Sequence, residues 1–413
     1  MKQARGFTLV ELMVALLLGL ILSGAVISVF IGSRNSYNKS SGVSAQSDDA
    51  RFSTDFMARA LRSSGFIGCN EAPRVTSMAN AQPPTVVLYD FGNAVSGYEA
   101  SGTGPGGAIT LQNPPPYGAT TPAVTGDNTV SDWTPNLPNN FTILLPDGTT
   151  PATGLQNLAI KGSDVLVVHS TLQGSGQQPP FPLTVSTIVT GPTVNNFTVT
   201  IPAGFSIGQF LSNGQIAAIS DCAKATVFQI TAAPTTTITH AANSSMSMGN
   251  SSDGFPINYN TGAMVFAPTT SIYYIAPGAD GDSALWRGDL SQPLPSTAAA
   301  GTYGLLATEL VPDVENMQVL YGVDPNNTRA ATSYVTADQV TGVCPGGNFN
   351  CVVSVTVAFL VSSPPGTSTV PSVAPTYQLP ASNATTSTTV TAPLDTRQRT
   401  VFQVTVALRN GLP

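Results

Sequence analysis

Charged residues are scarce in this chain of 413 residues and make up 9% of the sequence. Asp and Glu outnumber Lys and Arg by 22 to 15, which gives a formal net charge of -7 and an isoelectric point near 4.7. A nucleic-acid-binding surface needs clustered Lys and Arg to neutralise phosphates. The composition therefore excludes nucleic acid from the expected partners.

Histidine is scarcer still, with only His169 and His240 in the chain. Two histidines are too few for a histidine-based triad or a multi-histidine metal site, and each is predicted to be structural. The glycine-rich run from Gly102 to Gly107 lacks the Lys and the strand-to-helix setting of a phosphate-binding loop. The sequence thus predicts no enzyme, no catalytic residue, no cofactor and no metal site.

One short acidic segment resembles binding motifs weakly. Asp280, Asp282 and Asp289 have a spacing that can bind calcium, but they lack the EF-hand pattern and its terminal Glu. An acidic hairpin loop is the favoured interpretation. The overlapping string Arg287-Gly288-Asp289 spells a cell-adhesion tripeptide, which arises easily by chance.

Cysteine is also rare, and none of the four cysteines has the paired CxxC spacing of a zinc site: Cys69, Cys222, Cys344 and Cys351. Four cysteines allow three disulfide pairings. The short separation of Cys344 and Cys351, across a Pro-Gly-Gly string, predicts a local clip, and Cys69 with Cys222 follows by elimination. This second bridge would close a long loop and contribute roughly 4 to 5 kcal/mol on the chain-entropy model.

The composition favours strands and loops, because hydrophobic residues reach 42% while Gly and Pro number 38 and 33. From residue 66 to 413, short apolar runs between Gly, Pro, Asn and Asp predict a head of antiparallel sheet with loop insertions near residues 102–137 and 362–393. The clearest half-buried strands are residues 353–361 and 402–408, where apolar and polar residues alternate. Further predicted strands are residues 85–89, 141–145, 164–169, 196–201, 226–230, 271–275 and 317–321.

The N-terminus combines a short basic leader, residues 1–6, with an apolar run from Phe7 to Gly32. Such a run can cross a bilayer, which takes roughly 20 helical residues. Lys2 and Arg5 place the leader on the cytoplasmic side by the positive-inside bias. Residues 7–32 are therefore the predicted transmembrane part of a helix.

Glu11 does not fit an ordinary membrane anchor, since an isolated carboxylate in an apolar run costs several kcal/mol and marks a functional site. Cleavage between Gly6 and Phe7 would expose a free amine at Phe7. The amine of a neighbouring subunit could then neutralise Glu11 inside an assembly. The alternatives are a secretory signal peptide, cut near Ser23, and a plain single-span anchor, neither of which accounts for the Glu.

The helical pattern continues over residues 33–65, where an apolar stripe is predicted to pack against the head: Phe52, Phe56, Met57, Ala60 and Leu61. Gly65 is the predicted stop. A helix from Phe7 to Ser63 would be roughly 85 Å long. The predicted fold class is α+β, a long helix packed against an antiparallel β-rich head, with bending or melting expected near Gly42 and the other helix glycines.

The string from Gly6 to Glu11, after its basic leader, resembles the type III signal of type IV prepilins and type II secretion pseudopilins. The resemblance implies cleavage after Gly6 by prepilin peptidase and methylation of the Phe7 amine. It also implies that Glu11 recruits the subunit to the growing fibre.

The head also resembles the PilW family of minor pilins, on pieces that follow the family order: residues 220–222, 227–229, 272–275, 284–287, 309–311, 314–324 and 404–410. Residues 73–215 match nothing in that pattern, so the head is enlarged there. Relatives of this family include the J-type pseudopilin of type II secretion.

Membership would imply a minor pilin in a priming complex at the pilus tip. Its partners would be other minor pilins, the major pilin, a tip adhesin, prepilin peptidase and the inner membrane. The protein would sit in the inner membrane with a periplasmic head, and later in the fibre. The alternatives are a J-type pseudopilin and a tip-located recognition or adhesion subunit.

Overall fold

The computed structural model describes residues 8–68, 74–79, 86–111, 129–137, 141–144, 151–171, 183–189, 191, 193–209, 211–232, 235–243, 248–290, 303–380 and 387–408. The helices are α1 (Leu9–Ser63), α2 (Val86–Tyr89) and α3 (Ala337–Val343). The first eleven strands are β1 (Arg74–Ser77), β2 (Val95–Ala100), β3 (Ala108–Thr110), β4 (Trp133–Thr134), β5 (Phe141–Leu144), β6 (Pro151–Thr153), β7 (Val165–Thr171), β8 (Leu183–Val185), β9 (Asn196–Thr200), β10 (Ile216–Ser220) and β11 (Lys224–Gln229). The others are β12 (Thr237–Thr239), β13 (Met264–Phe266), β14 (Pro268–Pro277), β15 (Ser283–Leu290), β16 (Tyr303–Pro312), β17 (Val314–Val323), β18 (Ser333–Val335), β19 (Val352–Ser362), β20 (Thr376–Leu379), β21 (Thr388–Thr391) and β22 (Arg399–Ala407).

These elements confirm the predicted α+β class, and every predicted strand but one is present. The exception is the strand predicted at residues 85–89, where the structure has the helical turn α2. Leu88 and Tyr89 both pack into one hydrophobic cluster. Successive residues of a strand point to opposite faces, so a helical turn is needed to bury both on the same side.

The strands form four sheets. A seven-stranded sheet has the order β1-β11-β10-β13-β8-β9-β12, and an eight-stranded sheet has the order β4-β2-β7-β14-β15-β16-β5-β6. A four-stranded sheet, β18-β17-β19-β22, and a three-stranded sheet, β20-β21-β3, complete the head. Most pairings are antiparallel; β1 with β11, β16 with β5 and β21 with β3 are parallel.

The sheets are stacked in layers that share hydrophobic clusters. Along β14, Ile272 and Tyr274 point into the hydrophobic cluster between the eight-stranded and seven-stranded sheets. Tyr273 and Ile275 point to the other side, into the cluster that the eight-stranded sheet shares with α1 and the four-stranded sheet. This alternation is the two-residue period of a strand. Because both faces are covered, all ten residues of β14 are buried.

Strand β19 departs from the predicted half-burial, because all eleven of its residues are buried. Its Val357 and Phe359 face α1, and its Ala358 and Leu360 face the three-stranded sheet. That sheet is built from β3, β20 and β21, which lie inside the segments predicted as loop insertions near residues 102–137 and 362–393. Strand β22 is half-buried as predicted, with exposed Gln403, Thr405 and Ala407.

Helix α1 is continuous through its glycines, so the expected melting near Gly42 is wrong. Met57 and Leu61 of the predicted stripe are buried, and Phe56 and Ala60 pack beside them, so the prediction is wrong only for Phe52. The buried helix residues are Gly42, Gln46, Ala50, Ser53, Met57, Ala58 and Leu61, whereas Phe52 is 56% exposed. Small residues at four of the seven positions let the helix backbone approach the sheet closely. Phe52 instead stacks on Phe56 at the margin, with ring centroids 6.1 Å apart.

Candidate assembly interface

The N-terminal part of α1 extends beyond the head, and residues 8–41 are all exposed. Within this helix, an 18-residue window reaches a mean hydropathy of 2.7, and none of that window is buried in the molecule. The segment is long and apolar enough to cross a membrane. In water such a surface would be unstable, so its environment is lipid or the apolar flank of another helix.

Glu11 lies in the first turn of this exposed helix and forms a capping box with Thr8. Its Oε2 accepts hydrogen bonds from the Thr8 backbone N–H and the Thr8 hydroxyl, both at 3.0 Å, while the Glu11 N–H donates to Thr8 Oγ1 at 3.3 Å. Among the described residues, Glu11 Oε1 has no partner. The cap therefore fixes the orientation of the carboxylate at the start of the helix.

The two residues of the predicted processing site, Gly6 and Phe7, lie outside the described residues. Cys69 lies outside them too. Cys222 sits at positive φ (73°) in the turn between β10 and β11 and is not a free thiol. Its pairing with Cys69 stays a prediction. Cys344 and Cys351 form the predicted local disulfide, with Cα atoms 5.5 Å apart.

The helix enters the head at Gly42, the first buried residue of α1. A Cβ at this position would lie 2.1 Å from Thr367 Oγ1, so only glycine allows the loop after β19 to lie this close. One turn later, Gln46 Nε2 donates to the carbonyls of Val361 and Gln398, at 2.6 and 3.0 Å. Sequence analysis missed these contacts. The sequence pattern that predicts these contacts is a small or polar residue at every fourth position: Gly42, Gln46 and Ala50.

The base of the head is held together by two arginines. Buried Arg399 forms a bidentate pair with Glu315, at 2.6 and 2.9 Å, and a second pair with Asp395 at 2.6 Å. Arg397 bonds Asp313 at 2.9 Å and Asp282 at 2.5 Å. Burial raises the pKa of Asp313 to about 6, although Arg397 opposes this rise. Because each arginine joins two acids, the network ties the ends of β15, β17 and β22 together.

A buried acid pair links the eight-stranded sheet to the four-stranded sheet. Asp164 accepts the backbone N–H of Ala100 at 3.0 Å and of Val319 at 2.8 Å. Glu99 lies beside it and accepts the Thr103 hydroxyl at 3.0 Å. Burial and the neighbouring Asp164 raise the pKa of Glu99 to about 10. Sequence analysis had not singled out either acid.

Both histidines are buried in packed apolar surroundings. His240 stacks on Phe255 with ring centroids 4.0 Å apart, and Phe197 and Phe228 surround it. His169 Nδ1 lies 3.0 Å from Thr270 Oγ1. Burial lowers the pKa of His169 to about 3 and that of His240 to about 4, so both rings are neutral at neutral pH.

The short acidic segment divides between a turn and a strand. Asp280 and Asp282 lie at the turn between β14 and β15, whereas Asp289 lies within β15. Arg287 and Asp289 form an ion pair, with Nε 2.8 Å from Oδ2, and Asp289 also accepts the Ser271 hydroxyl at 2.6 Å. The tripeptide from Arg287 to Asp289 is therefore a strand paired on both edges, not a presented loop.

Comparison with known families matches both ends of the chain. Residues 272–410 match the family model described as Type IV Pilus-assembly protein W, and residues 1–27 match the Prokaryotic N-terminal methylation motif. No curated protein and no solved structure matches the chain. The W-family region runs from β14 to β22 and includes both strands on which α1 packs most extensively.

An exposed apolar helix with a methylation motif, mounted on a β-rich head, defines a type IV pilin-like protein. The PilW match over residues 272–410, together with the methylation motif, supports a type IV pilus minor pilin. The chain is anchored in the inner membrane by α1 and becomes part of the pilus.

Proposed function

We propose that this minor pilin is a non-catalytic subunit of a tip complex that initiates the pilus. Prepilin peptidase cuts between Gly6 and Phe7, and the Phe7 amine is then methylated. The methylation-motif match over residues 1–27 supports this processing. The partners in the complex are other minor pilins, and the major pilin continues the fibre beneath them.

The observation that carries the proposal is the unpartnered half of α1 with Glu11 at its start. The apolar surface of residues 8–41 needs a lateral neighbour once it leaves the bilayer. Glu11 supplies a charge that only a correctly staggered neighbour can neutralise with its terminal amine. The capping box keeps the carboxylate at the helix start, where such an amine would arrive.

Substitutions of Glu11 test the pairing. Glu11→Gln retains the size and an oxygen acceptor for the Thr8 N–H but loses the charge. A hydrogen bond to a charged group contributes about 1.5 to 3 kcal/mol, so we expect incorporation into sheared fibres to fall by roughly 10- to 100-fold. Membrane insertion should be unchanged, as measured by fractionation.

Ser28→Ala is the matched control, because it removes a polar group from the same exposed helix and leaves Glu11 and its cap in place. It should incorporate nearly as well as the native chain. Native incorporation of Glu11→Gln would contradict the amine pairing. N-terminal mass spectrometry of the mature chain tests the processing itself: a methylated Phe7 start is expected, and a start beyond Glu11 would reject it.

The position at the tip is tested by immunogold labelling of the head on native fibres. A priming subunit should be labelled at one fibre end only, and cells lacking it should assemble few pili. Label spread along the shaft would contradict the tip assignment while leaving the pilin role intact.

A further inference from the structure

The end of the head nearest the membrane helix is built from two segments, residues 363–375 and 392–396, which we call the basal loops. Ser368 N–H donates to the Thr396 carbonyl at 2.8 Å, and Ala392 N–H donates to the Pro375 carbonyl at 2.9 Å. The two segments therefore run side by side between these bonds. Gly366 N–H adds a bond to Thr396 Oγ1 at 2.8 Å.

The basal loops have a buried side and an apolar exposed side. Thr367 and Ala392 are 5% and 1% exposed, because they pack against the head and α1. Val370, Val373 and Leu394 are instead 56%, 76% and 54% exposed. All three lie in the stretch between the two backbone bonds, and together they make up the exposed apolar patch of the basal loops.

The position of this patch along α1 is set by the contact of Thr367 with Gly42. Gly42 lies ten residues beyond Gly32, where the apolar run ends, which corresponds to about 15 Å along the helix. The headgroup layer occupies roughly 5 to 8 Å outside the hydrocarbon core. Val370 follows Thr367 by three residues, a reach of about 10 Å in extended chain. The patch can therefore reach the outer edge of the headgroup layer.

The chemistry of the basal loops suits a lipid surface. Residues 363–375 contain no charged residue and four prolines: Pro364, Pro365, Pro371 and Pro375. Proline has no N–H, so bringing this backbone to a less polar layer leaves fewer unsatisfied donors. On the helix between membrane and head, exposed Tyr37 is a side chain typical of the membrane interface.

We propose that the basal loops rest on the periplasmic surface of the inner membrane before assembly, with Val370, Val373 and Leu394 in the headgroup layer. The bilayer that holds α1 is continuous with this surface, and this identifies the occupant as lipid. The contact holds the head at a fixed tilt over the membrane, which presents a constant face of α1 to incoming subunits.

The test uses the full chain in phosphatidylcholine nanodiscs. Val373→Cys is labelled with an environment-sensitive fluorophore, since no described cysteine is a free thiol. Ile188→Cys is the matched control, because Ile188 is similarly exposed, at 62%, and lies in the seven-stranded part of the head. Lipids that carry a quencher near the headgroup should remove most of the fluorescence at position 373 and leave position 188 unchanged.

Equal quenching by these lipids at positions 373 and 188 would overturn the proposal. A second pair of results would also contradict the proposal. In nanodiscs the quencher-carrying lipids would leave the label at position 373 fluorescent, and in assembled fibres the same label would be protected from a water-soluble quencher. A neighbouring subunit, not lipid, would then cover the basal loops. Unchanged thermal unfolding of both labelled variants ensures that the comparison concerns folded protein. Neither result depends on the tip position or on Glu11.

Discussion

Glu99 and Asp164 are two carboxyl groups placed together in the interior, where both cannot be ionised at once. Burial also raises the pKa of Asp164, to about 7, but its two backbone donors favour the carboxylate. Glu99 is therefore the member that holds the proton at neutral pH. The free-energy cost of burying Glu99 is lower because its carboxyl group is buried in the neutral form.

This arrangement predicts a pH-dependent stability. The folded-state pKa of Glu99, about 10, lies above the unfolded value of about 4.3. The folded state binds the Glu99 proton more tightly than the unfolded state does. The contribution of Glu99 to the free energy of unfolding is therefore complete below pH 4.3 and is lost as the pH rises toward 10. We expect the free energy of unfolding to fall between pH 5 and pH 9, by at most about 1.4 kcal/mol per pH unit from this group.

Glu99→Gln should flatten that profile, because the amide is neutral at every pH. The measurement is urea unfolding of the full chain in detergent at several pH values, with the exposed Asp48→Asn as control. Asp48→Asn should keep the native slope. A Glu99→Gln slope equal to the native slope would mean that Glu99 is ionised in the folded state.

At the scale of elements, the junction of α1 with the basal loops depends on one missing side chain. A glycine within a helix ordinarily costs about 1 kcal/mol relative to alanine. At Gly42 this cost is offset by the close approach of Thr367, whose own hydroxyl is held by the Pro364 carbonyl at 2.7 Å. The residue that looked like a weak point in the helix is therefore a packing site.

We expect Gly42→Ala to destabilise the head by about 1 to 3 kcal/mol through overpacking, despite the gain in helix propensity. Thermal unfolding in detergent measures this change. Gly32→Ala is the matched control, since a Cβ there meets nothing within 4 Å, and it should leave head unfolding unchanged.

A double variant separates packing from propensity. Gly42→Ala with Thr367→Gly removes the clash and should recover part of the lost stability, with a coupling energy of about 0.5 to 3 kcal/mol. A stabilised Gly42→Ala single variant, or no coupling in the double variant, would show that the loop is not pressed against the helix.

At the scale of the whole molecule, the part of the head that precedes the family match at residue 272 is built into its core. Residues 73–215 contain β2 and β7, and β7 lies between β2 and β14 in the eight-stranded sheet. Removing this whole segment would therefore unfold the family region as well. Residues 172–267 leave the sheet at Thr171 and return at Pro268, and these two residues pair directly. Their strands cover one face of β14, so they also belong to the core of the head.

The local sequence determined the element types, because helix and strand periods and long apolar runs act over short distances in the chain. The membrane helix, most strands and the Cys344–Cys351 clip follow from such patterns. Only the tertiary structure decided which side of each element is buried. Val390 and Ile109 cover Leu360 from segments far apart in sequence, so β19 is buried on both faces. Likewise, because the head approaches α1 closely at Gly42 and Gln46, these two residues are buried, whereas Phe52 is exposed.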